Sequence, residues 1–393
     1  MVNGWVPTSL GDILTQERRP VALDPEKKYA EIGVYSYGRG IFHKEPRTGF
    51  EIGNKDLYEI KQGDFIFQIT FAWEGAIALA SETEDGMYGS VRFPTYRINE
   101  DICYPKFLLN YFKTEEGRRE IGRISPGSAG RNRVLATKRL PEIFVPLPPL
   151  AEQRRIMAHI ESLAARVNEA QRLREDADEE INSLLISMAH RSDESKNKLL
   201  AEGWAEVRLG EVIQQVKDRC RVEPNIEYPN LGIYSFARGL FRKQPIDGNL
   251  TSAKELYRVH KGQFIYSRLF AFEGACGFIT DEYDSCYVSG EYPTFDCDPE
   301  RVKPEFLFAY FKSLDTWKEI SAGSKGLGDR RQRVQPDKFL EHKFLLPPLE
   351  WQFKIAMVIQ KVEVLRGLQS ETEKALNALL PSILDRAFKG KLI

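Results

Sequence analysis

The chain has few of the features that mark secreted, membrane or zinc-binding proteins. Its five cysteines are an odd number with no Cys-x-x-Cys pair, so neither a disulfide framework nor a zinc site is predicted, and we expect reduced thiols. The longest apolar runs, such as Phe344–Leu349, are far shorter than the ~20 residues of a membrane span. Met1–Trp5 has no basic segment ahead of an apolar one, so no signal peptide is predicted. We therefore expect a cytoplasmic protein with no membrane contact. The cysteines are Cys103, Cys220, Cys276, Cys286 and Cys297.

Charge of neither sign is in excess. Lys and Arg total 56 and Asp and Glu total 57, which leaves a formal net charge of −1. Any contact with nucleic acid must therefore come from local basic segments that acidic surface elsewhere balances.

A catalytic constellation is also lacking. The five histidines stand singly, and none has a second ligand at metal-binding spacing. The glycine-rich segment 323–328 lacks the final Gly-Lys-Ser/Thr of a phosphate-binding P-loop. Glu74 and Glu273 precede glycines in matching segments, and a buried or capping role explains them as well as a catalytic one. We predict that this chain has no catalytic, cofactor or metal site of its own.

What the sequence does contain is a tandem repeat. Its two halves align at a constant offset of 199 residues over most of their length. The segment Gly33–Gly40 returns as Gly232–Gly239, and Leu57–Phe67 returns as Leu256–Tyr266. A repeat this long is a duplicated domain rather than a solenoid unit.

Each repeat opens with a segment of mixed character. Short β-branched and aromatic runs, such as Phe65–Ile69 and Gly277–Ile279, are separated by Gly, Asp and Pro turns and predict several strands. Pro105–Lys113 and its counterpart, Pro304–Lys312, predict amphipathic helices that begin at a proline. Each repeat is therefore expected to begin with an α+β domain.

Each repeat ends with the pattern of a long helix. From Pro148 to about His190 there is no glycine, and no proline beyond the opening pair. Apolar residues follow at alternating spacings of four and three, which is a heptad seam with one polar interruption. The second repeat has the same spacing with a more polar middle, and each helix of ~40 residues would be ~60 Å long. The first seam is Ile156, Ile160, Leu163, Val167, Ala170, Arg174, Ala177, Ile181, Leu184 and Met188. The second is Ile355, Ile359, Val362, Arg366, Gln369, Glu373, Leu376, Leu380, Ile383 and Ala387.

Two arrangements can bury these seams. Each helix can pack on its own globular domain, or the two equivalent helices can pack on each other. The duplication favours the second arrangement, and the polar stretch Arg191–Lys198 lets the chain turn back, so we expect an antiparallel coiled coil. The predicted fold is α+β, with two homologous domains related by a pseudo-twofold axis at opposite ends of a rigid spacer. Its parts are domain 1 (1–147), helix 1 (148–192), a linker (193–203), domain 2 (204–346) and helix 2 (347–393).

Basic residues cluster in one loop of each repeat. Ser125–Arg139 carries four positive charges and no acid, and Ser321–Lys338 carries five positive charges against two acids. The recurrence at the same place favours a function over a solvated surface loop. Basic side chains on glycine-rich loops suit phosphate contacts, and neighbouring Gln and Ser side chains suit base edges.

Several motifs together resemble a known family. They are the junction Leu147–Ile156, its weaker copy Leu346–Gln352, the Gly-Asp-Phe and Gly-Gln-Phe strands and the closing segment Ala387–Leu392. Over essentially the whole chain these residues resemble the specificity subunit of type I restriction-modification enzymes. The resemblance implies two target recognition domains, each reading one half of a bipartite DNA site. It also implies two conserved helices that hold these domains apart and dock partner subunits.

The resemblance also assigns the chemistry to partners. It implies double-stranded DNA and two methyltransferase subunits as partners, and it leaves open whether restriction (motor) subunits complete the complex. S-adenosylmethionine and the adenine N6 chemistry would belong to the methyltransferase subunits, with no cofactor in this chain. The absence of an Asn/Asp-Pro-Pro-Tyr/Phe methylase motif fits that division.

The candidate DNA-binding residues occupy a Tyr-Ser-x-x-Arg turn, a strand end and the basic loop of each repeat. We expect the loop arginines to hold phosphates and Gln68 and Arg268 to reach base edges, because the repeats differ at the strand ends. In the first repeat the candidates are Tyr35, Ser36, Arg39, Gln68, Arg131 and Arg133. In the second repeat they are Tyr234, Ser235, Arg238, Arg268, Arg330, Arg331 and Arg333.

Two other functions stay open on the residues alone. The chain could be a coiled-coil adaptor whose globular ends bind proteins without reading DNA, or a nuclease with a disguised site. Retention on DNA that weakens steeply with salt separates DNA recognition from the adaptor. Metal-dependent cleavage by the isolated chain would support the nuclease.

Overall fold

The computed structural model describes residues 4–127, 133–321 and 333–391. The chain folds into two compact units, one made of residues 1–171 and 372–393 and the other of residues 172–371. Each unit therefore contains one globular repeat together with parts of both long helices.

In its described residues, the first repeat is built from short strands and four small α-helices. Its strands are β1 (Val6–Ser9), β2 (Leu14–Glu17), β3 (Pro20–Val21), β4 (Lys28–Tyr29), β5 (Ile32–Val34), β6 (Ile41–His43), β7 (Arg47–Thr48), β8 (Leu57–Glu59), β9 (Phe65–Phe67), β10 (Ile77–Leu79), β11 (Tyr88–Ser90), β12 (Thr95–Ile98) and β13 (Phe144–Leu147). Its helices are α1 (Leu10–Ile13), α2 (Gly49–Ile52), α3 (Pro105–Lys113) and α4 (Glu115–Arg123), after which the long α5 (Leu150–His190) begins.

The second repeat follows a short helix in the predicted linker, α6 (Lys196–Ala201). Its strands are β14 (Ala205–Arg208), β15 (Ile213–Val216), β16 (Asp218–Arg221), β17 (Glu227–Ile233), β18 (Leu240–Asp247), β19 (Glu255–Arg258), β20 (Phe264–Tyr266), β21 (Cys276–Phe278), β22 (Tyr287–Val288), β23 (Thr294–Cys297) and β24 (Lys343–Leu346). Its helices are α7 (Pro304–Tyr310), α8 (Leu314–Ser321), α9 (Pro336–Leu340) and the long α10 (Leu349–Phe388).

The two repeats share one sheet order, which confirms the α+β duplication. The four-stranded sheet is β10-β9-β12-β2 in the first repeat and β15-β23-β20-β21 in the second, the same sequence of equivalent strands. Its register is also shared, since Thr95 pairs with Ile66 as Thr294 pairs with Ile265. β1 pairs with β13, and β14 pairs with β24, which brings the start and end of each globular repeat together.

The helix predicted at Pro105 has the expected bounds, and its counterpart is shorter. α3 begins with Pro105 in its first turn and buries Phe107, Leu108, Tyr111 and Phe112. α7 was expected to reach Lys312 but ends at Tyr310. The N–H groups of Lys312 and Ser313 donate to the carbonyls three residues back, Ala309 and Tyr310, at 3.3 and 3.4 Å, so the α-helical hydrogen-bond pattern ends.

Both long helices have the predicted length. α5 has 41 residues and α10 has 40. Seam residues such as Ile156 and Ile359 are 3–4% exposed, but Leu184 is 50% exposed and its neighbour Leu185 only 2%. The prediction was wrong by one residue there, because a straight helix drifts ~20° per heptad from a strict 3.5-residue repeat. The heptad pattern also predicts Glu373 in the second seam, but its side chain is exposed, so that prediction is wrong.

Within the second unit, α5 and α10 pack against each other in opposite directions. The indole of Trp351 donates to the carbonyl of Met188 at 2.8 Å, and Arg366 donates to Asp178 at 2.9 Å. From the first contact to the second, the residue number decreases in α5 and increases in α10, so the two helices run antiparallel. Arg366, one of the polar residues in the second seam, thus forms an ion pair with an acid of the facing helix.

The first unit completes its core with the end of α10. Ile383, Ala387 and Phe388 are buried with residues of the first globular repeat. The ring of Phe388 lies 4.8 Å from that of Phe107 and 5.8 Å from that of Tyr111, centroid to centroid. The first repeat therefore depends on a helix that is distant in sequence.

A buried glutamine explains the junction motif of the first repeat. Gln153 is 0% exposed, and its amide nitrogen donates to the carbonyls of Ile102 and Pro148, both at 2.9 Å. Its amide oxygen accepts from the backbone N–H of Tyr104 at 2.8 Å. One side chain thereby clamps the helix start to the loop before α3.

The second repeat has the same clamp. Gln352 is 0% exposed, donates to the carbonyls of Arg301 and Pro347 and accepts from the N–H of Lys303, at 2.8–2.9 Å. The Leu-Pro-Pro-Leu-x-x-Gln motif is therefore a structural joint between a globular repeat and its long helix.

A histidine pair packs where α5 ends in the second unit. The ring of His190 stacks on Tyr310 at 4.3 Å, and its Nε2 lies 2.9 Å from the Tyr310 carbonyl oxygen. The hydroxyl of Tyr310 is 3.0 Å from Nε2 of His342. Burial, with the nearby charge of His190, lowers the pKa of His342 to about 4, and burial lowers the pKa of His190.

All five cysteines are free, and three of them, Cys103, Cys276 and Cys286, are buried. Among the described helices, none combines the length and the apolar character that crossing a bilayer requires.

Candidate nucleic-acid interface

The Tyr-Ser-x-x-Arg segments form the same tight turn in both repeats. The N–H of Tyr35 donates to the Gly40 carbonyl at 3.0 Å, and Tyr234 and Gly239 repeat this bond at 3.0 Å. The turn passes through left-handed backbone, with φ of 62° at Tyr37 and 60° at Phe236. Non-glycine residues rarely adopt such angles, and their repetition marks a constrained loop.

A glutamate holds each turn. Ser36 Oγ donates to the carboxylate of Glu74 at 3.0 Å, and Ser235 Oγ donates to that of Glu273 at 2.6 Å. In both repeats the backbone carbonyl of the glutamate also accepts from the residue after the serine, at 2.6–2.8 Å. The glutamates therefore have the structural role, and the serine hydroxyls are engaged inside the domain. Direct DNA contact by these serines stays a prediction.

An exposed arginine stacks on the tyrosine of each turn. The guanidinium carbons of Arg39 and Arg238 lie 5.0 Å from the ring centres of Tyr35 and Tyr234. Each Nε donates to the carbonyl of the turn serine, at 3.2 and 3.1 Å. Both arginines and both tyrosines are exposed. A planar guanidinium fixed in this way retains free donors in a defined direction, which suits phosphate or base recognition.

The aromatic residues at the turn were missed by the sequence reasoning. Tyr37 and Phe236 are 68% and 59% exposed at the tip of the turns. Phe42 and Phe241 pack behind the turn tyrosines, with ring centres 4.5 and 4.2 Å apart. The available signal was the recurrence of aromatic residues at these positions at the 199-residue offset.

A buried lysine lies beneath each turn. Lys312 Nζ donates to the Ala237 carbonyl at 2.8 Å and to Asn182 of α5 at 3.0 Å. Burial lowers the pKa of Lys312 to about 8, and burial also lowers the pKa of Lys113, its counterpart. A Cβ added to Gly38 would meet the Lys113 side chain at 2.8 Å, so this lysine too lies against its turn.

The candidates at the strand ends differ in the exposure and the hydrogen-bond partners of their side chains. Gln68 is 8% exposed, and its side-chain oxygen accepts from the N–H of Phe71 at 2.7 Å. Ser267 occupies the equivalent position and accepts from Phe270 at 3.3 Å. Arg268 is half-buried and donates to Gln335 at 2.8 Å. Base contacts by Gln68 and Arg268 stay predictions.

Of the loop arginines, Arg131, Arg330 and Arg331 lie outside the described residues. Arg133 stacks on Trp73 at 4.9 Å and donates to the carbonyls of Gly122 and Ser125 at 3.1 and 3.3 Å. Arg333 lies 3.5 Å from a carboxylate oxygen of Glu291. A phosphate role for the loop arginines stays a prediction.

In the first repeat the described candidates converge on one short segment, residues 68–75. At its start the side chain of Gln68 accepts from the N–H of Phe71, Arg133 stacks on the indole of Trp73, and Ser36 donates to the carboxylate of Glu74. The 3₁₀ turn Ala72–Glu74 ends at Gly75, whose φ of 83° requires the freedom of glycine. The three sequence segments are therefore parts of one surface. Among the described residues no group of three His, Cys, Asp or Glu side chains could hold a metal ion.

Comparisons with known proteins agree with this architecture. Residues 3–175 match the family model described as the type I restriction modification DNA specificity domain. The type I restriction enzyme EcoKI specificity subunit of Escherichia coli K12 is 23% identical over 327 residues, which are 75% of this chain and 67% of the relative. The putative type I restriction enzyme specificity subunit S.HindORF215P of Haemophilus influenzae is 27% identical over 255 residues, 63% of each protein.

Solved structures show the fold over the full length. A chain from a study of the assembly and conformational transition of a type I R-M system matches with a TM-score of 0.67 and 23% identity, covering 99% of both chains. The HsdS subunit of Thermoanaerobacter tengcongensis matches with a TM-score of 0.53 and 24% identity, covering 100% of this chain and 98% of that one.

Proposed function

We propose that this chain is a specificity subunit of a type I restriction-modification enzyme and that each of its repeats reads one half of a bipartite site in double-stranded DNA, as its similarity to such subunits supports. The observation that carries the proposal is the turn shared by the two repeats. Both present an exposed arginine on an exposed tyrosine, held by the same serine–glutamate hydrogen bond. Two copies of one pre-organised guanidinium suit a ligand that offers the same phosphate geometry twice.

We propose that the two half-sites are inverted, related and not identical. The shared turn supports common contacts, and the different strand ends at Gln68 and Arg268 support different bases. The inversion rests on the expected pseudo-twofold relation of the repeats, because two domains related by a twofold axis meet the two DNA strands in opposite directions. A gap that no side chain reads would separate the half-sites.

We propose that this chain performs no catalytic step and that two methyltransferase subunits dock on its helices. The docking proposal is supported by an apolar stripe on α10. Phe353, Met357 and Val364 are 52–61% exposed, and at 100° per residue they lie opposite the buried seam residues Ile355 and Ile359. Apolar residues on the solvent face of a helix mark a protein interface. Restriction subunits would join the complex through these partners.

The DNA-binding proposal is tested with the double variant Arg39→Ala and Arg238→Ala. We expect weaker binding to all sequences and a shallower dependence of log K on log salt, by about one for each phosphate that is no longer bound. A matched control is Lys261→Ala with Lys318→Ala, which removes two exposed charges elsewhere. Unchanged affinity and salt slope in the Arg39 and Arg238 variant would exclude the phosphate role. If the retention of wild-type protein on DNA does not weaken with rising salt concentration, the adaptor alternative is favoured.

The docking proposal is tested separately. Met357→Glu with Val364→Glu should abolish co-purification of the methyltransferase subunits while leaving DNA binding by the free chain intact. Lys361→Glu, an exposed change on the same helix, is the control. Normal assembly of the Met357 and Val364 variant would show that the partners bind another surface.

A further inference from the structure

Each repeat contains a surface cleft at the same place in its fold. In the second repeat the cleft has a volume of ≈ 610 Å³ and includes Gln215, Tyr257 and Ser289. In the first repeat a cleft of ≈ 160 Å³ includes Gln16, Tyr58 and Ser90. These residues correspond one to one at the 199-residue offset. We name the two the second cleft and the first cleft.

The backbone around the two clefts is the same. In the second cleft the N–H of Arg268 donates to the Glu291 carbonyl at 2.9 Å, and the Arg268 carbonyl accepts from the N–H of Val334 at 3.1 Å. The equivalent hydrogen bonds of the first cleft measure 3.0 and 2.8 Å. Differences between the clefts therefore come from their side chains.

Two of the positions that differ between the repeats carry recognition chemistry in the second cleft. Arg268 of the second cleft is replaced by Ile69 in the first, and Glu291 is replaced by Arg92, which is exposed. Shared Gln, Tyr and Ser residues thus frame both clefts, and the donor Arg268 of the second cleft is replaced by the apolar Ile69 in the first. Glu291 lines the second cleft, whereas Arg92 at the equivalent position does not line the first.

The polar groups of the second cleft are incompletely satisfied. Arg268 Nε and Glu291 Oε2 are buried and have no hydrogen-bond partner among the residues that the structure describes. A buried polar atom without a partner is unfavourable, so a ligand that lets these side chains turn toward it gains both hydrogen bonds. Arg268 and Glu291 also bind the segment that follows the basic loop, through Gln335 and Arg333.

We propose, on the basis of the proposed DNA recognition, that the paired clefts determine the difference between the two half-sites, and that the second cleft selects a G·C pair. Arginine donates to guanine O6 and N7, and a carboxylate accepts from cytosine N4, so Arg268 and Glu291 together match the two bases of one pair. Ile69 cannot donate, and its apolar side chain suits a thymine methyl group in the first half-site.

The test is a methylation map of the full chain assembled with its methyltransferase subunits. The double variant Arg268→Ile with Glu291→Arg places at these two positions the residues found at the equivalent positions of the first repeat. We expect the preference for one G·C pair of the second half-site to fall by about tenfold or more, with the first half-site unchanged. The matched control is Lys261→Ile with Asp281→Arg, which makes the same net charge change at an exposed ion pair of the same repeat.

The outcomes separate the two proposals. If wild-type protein maps to no specific sequence, the proposed function itself fails. If wild-type protein is specific and the double variant maps to the identical site, the cleft proposal is wrong. Should the double variant unfold, Glu291→Met decides, because it keeps the side-chain length and removes both oxygen acceptors. An unchanged map for that variant overturns the proposal, and relaxed preference at the G·C pair supports it.

Discussion

Replacing the buried junction glutamine should destabilise one unit of the chain selectively. Gln153→Ala removes three hydrogen bonds of 2.8–2.9 Å at a fully buried position. At ~1 kcal/mol net for each bond, the loss is about 3 kcal/mol, and it rises toward ~5 kcal/mol if the backbone groups of Ile102, Tyr104 and Pro148 stay without partners. For a unit of roughly 150–250 residues this lowers Tm by about 6–12 °C.

The assay is urea unfolding followed by circular dichroism and tryptophan fluorescence. Trp5 and Trp73 lie in the first unit, and Trp204, Trp317 and Trp351 lie in the second, so the two transitions can be assigned. Gln153→Ala should shift the first-unit transition and Gln352→Ala the second, whereas the exposed neighbour change Arg155→Ala should shift neither.

A loss below about 1 kcal/mol for Gln153→Ala would refute the clamp, because even a single neutral hydrogen bond contributes that much. A variant that keeps the shape sharpens the test. Gln153→Glu retains an acceptor for the Tyr104 N–H but turns a carboxylate oxygen toward two carbonyl oxygens. It should therefore be at least as destabilising as Gln153→Ala at neutral pH.

Three further predictions concern pH, the recognition turn and the buried lysine. The pKa values of His190 and His342 are lowered in the folded chain, so the unfolded chain binds more protons as pH falls. The stability of the second unit should therefore decrease from pH ~6.5 toward about 4, by at most ~1.4 kcal/mol per pH unit per histidine. His342→Phe should reduce this pH dependence in urea midpoints measured across the range. Ser235→Ala should weaken DNA binding to all sequences through a loosened turn, whereas Ser235→Thr should restore it, and equal binding curves for both would contradict a positioning role. Lys312→Met should lower the second-unit Tm by leaving Ala237 O without its donor, and an unchanged melting curve would show that the hydrogen bond contributes nothing.

The sequence predicted what depends on repetition and periodicity. The duplication, the α+β class, α3 and the lengths of both long helices follow from local patterns that recur at a fixed offset. The prediction for Leu184 was wrong because a heptad count ignores helix drift. The prediction for Lys312 was wrong because its N–H bonds the carbonyl three residues back, where the α-helix ends.

The site was predictable in outline only. The turn residues were found because they recur, but the partnership of Ser36 with Glu74 joins residues 38 positions apart. The cleft that surrounds Arg268 is likewise assembled from separate segments of one repeat, and only the fold brings them together. Side-chain roles that depend on distant partners cannot be read from spacing.

The contact of Phe388 with Phe107 and Tyr111 sets the order of events during synthesis. Phe388 lies 281 residues after Phe107, so at ~5–20 residues per second roughly 15 to 55 s pass before the ribosome supplies the last piece of the first core. During that interval the second repeat is made while the first still exposes apolar surface. The first repeat to be translated is thus the last to be completed, and the nascent chain needs protection from aggregation at its beginning rather than at its end.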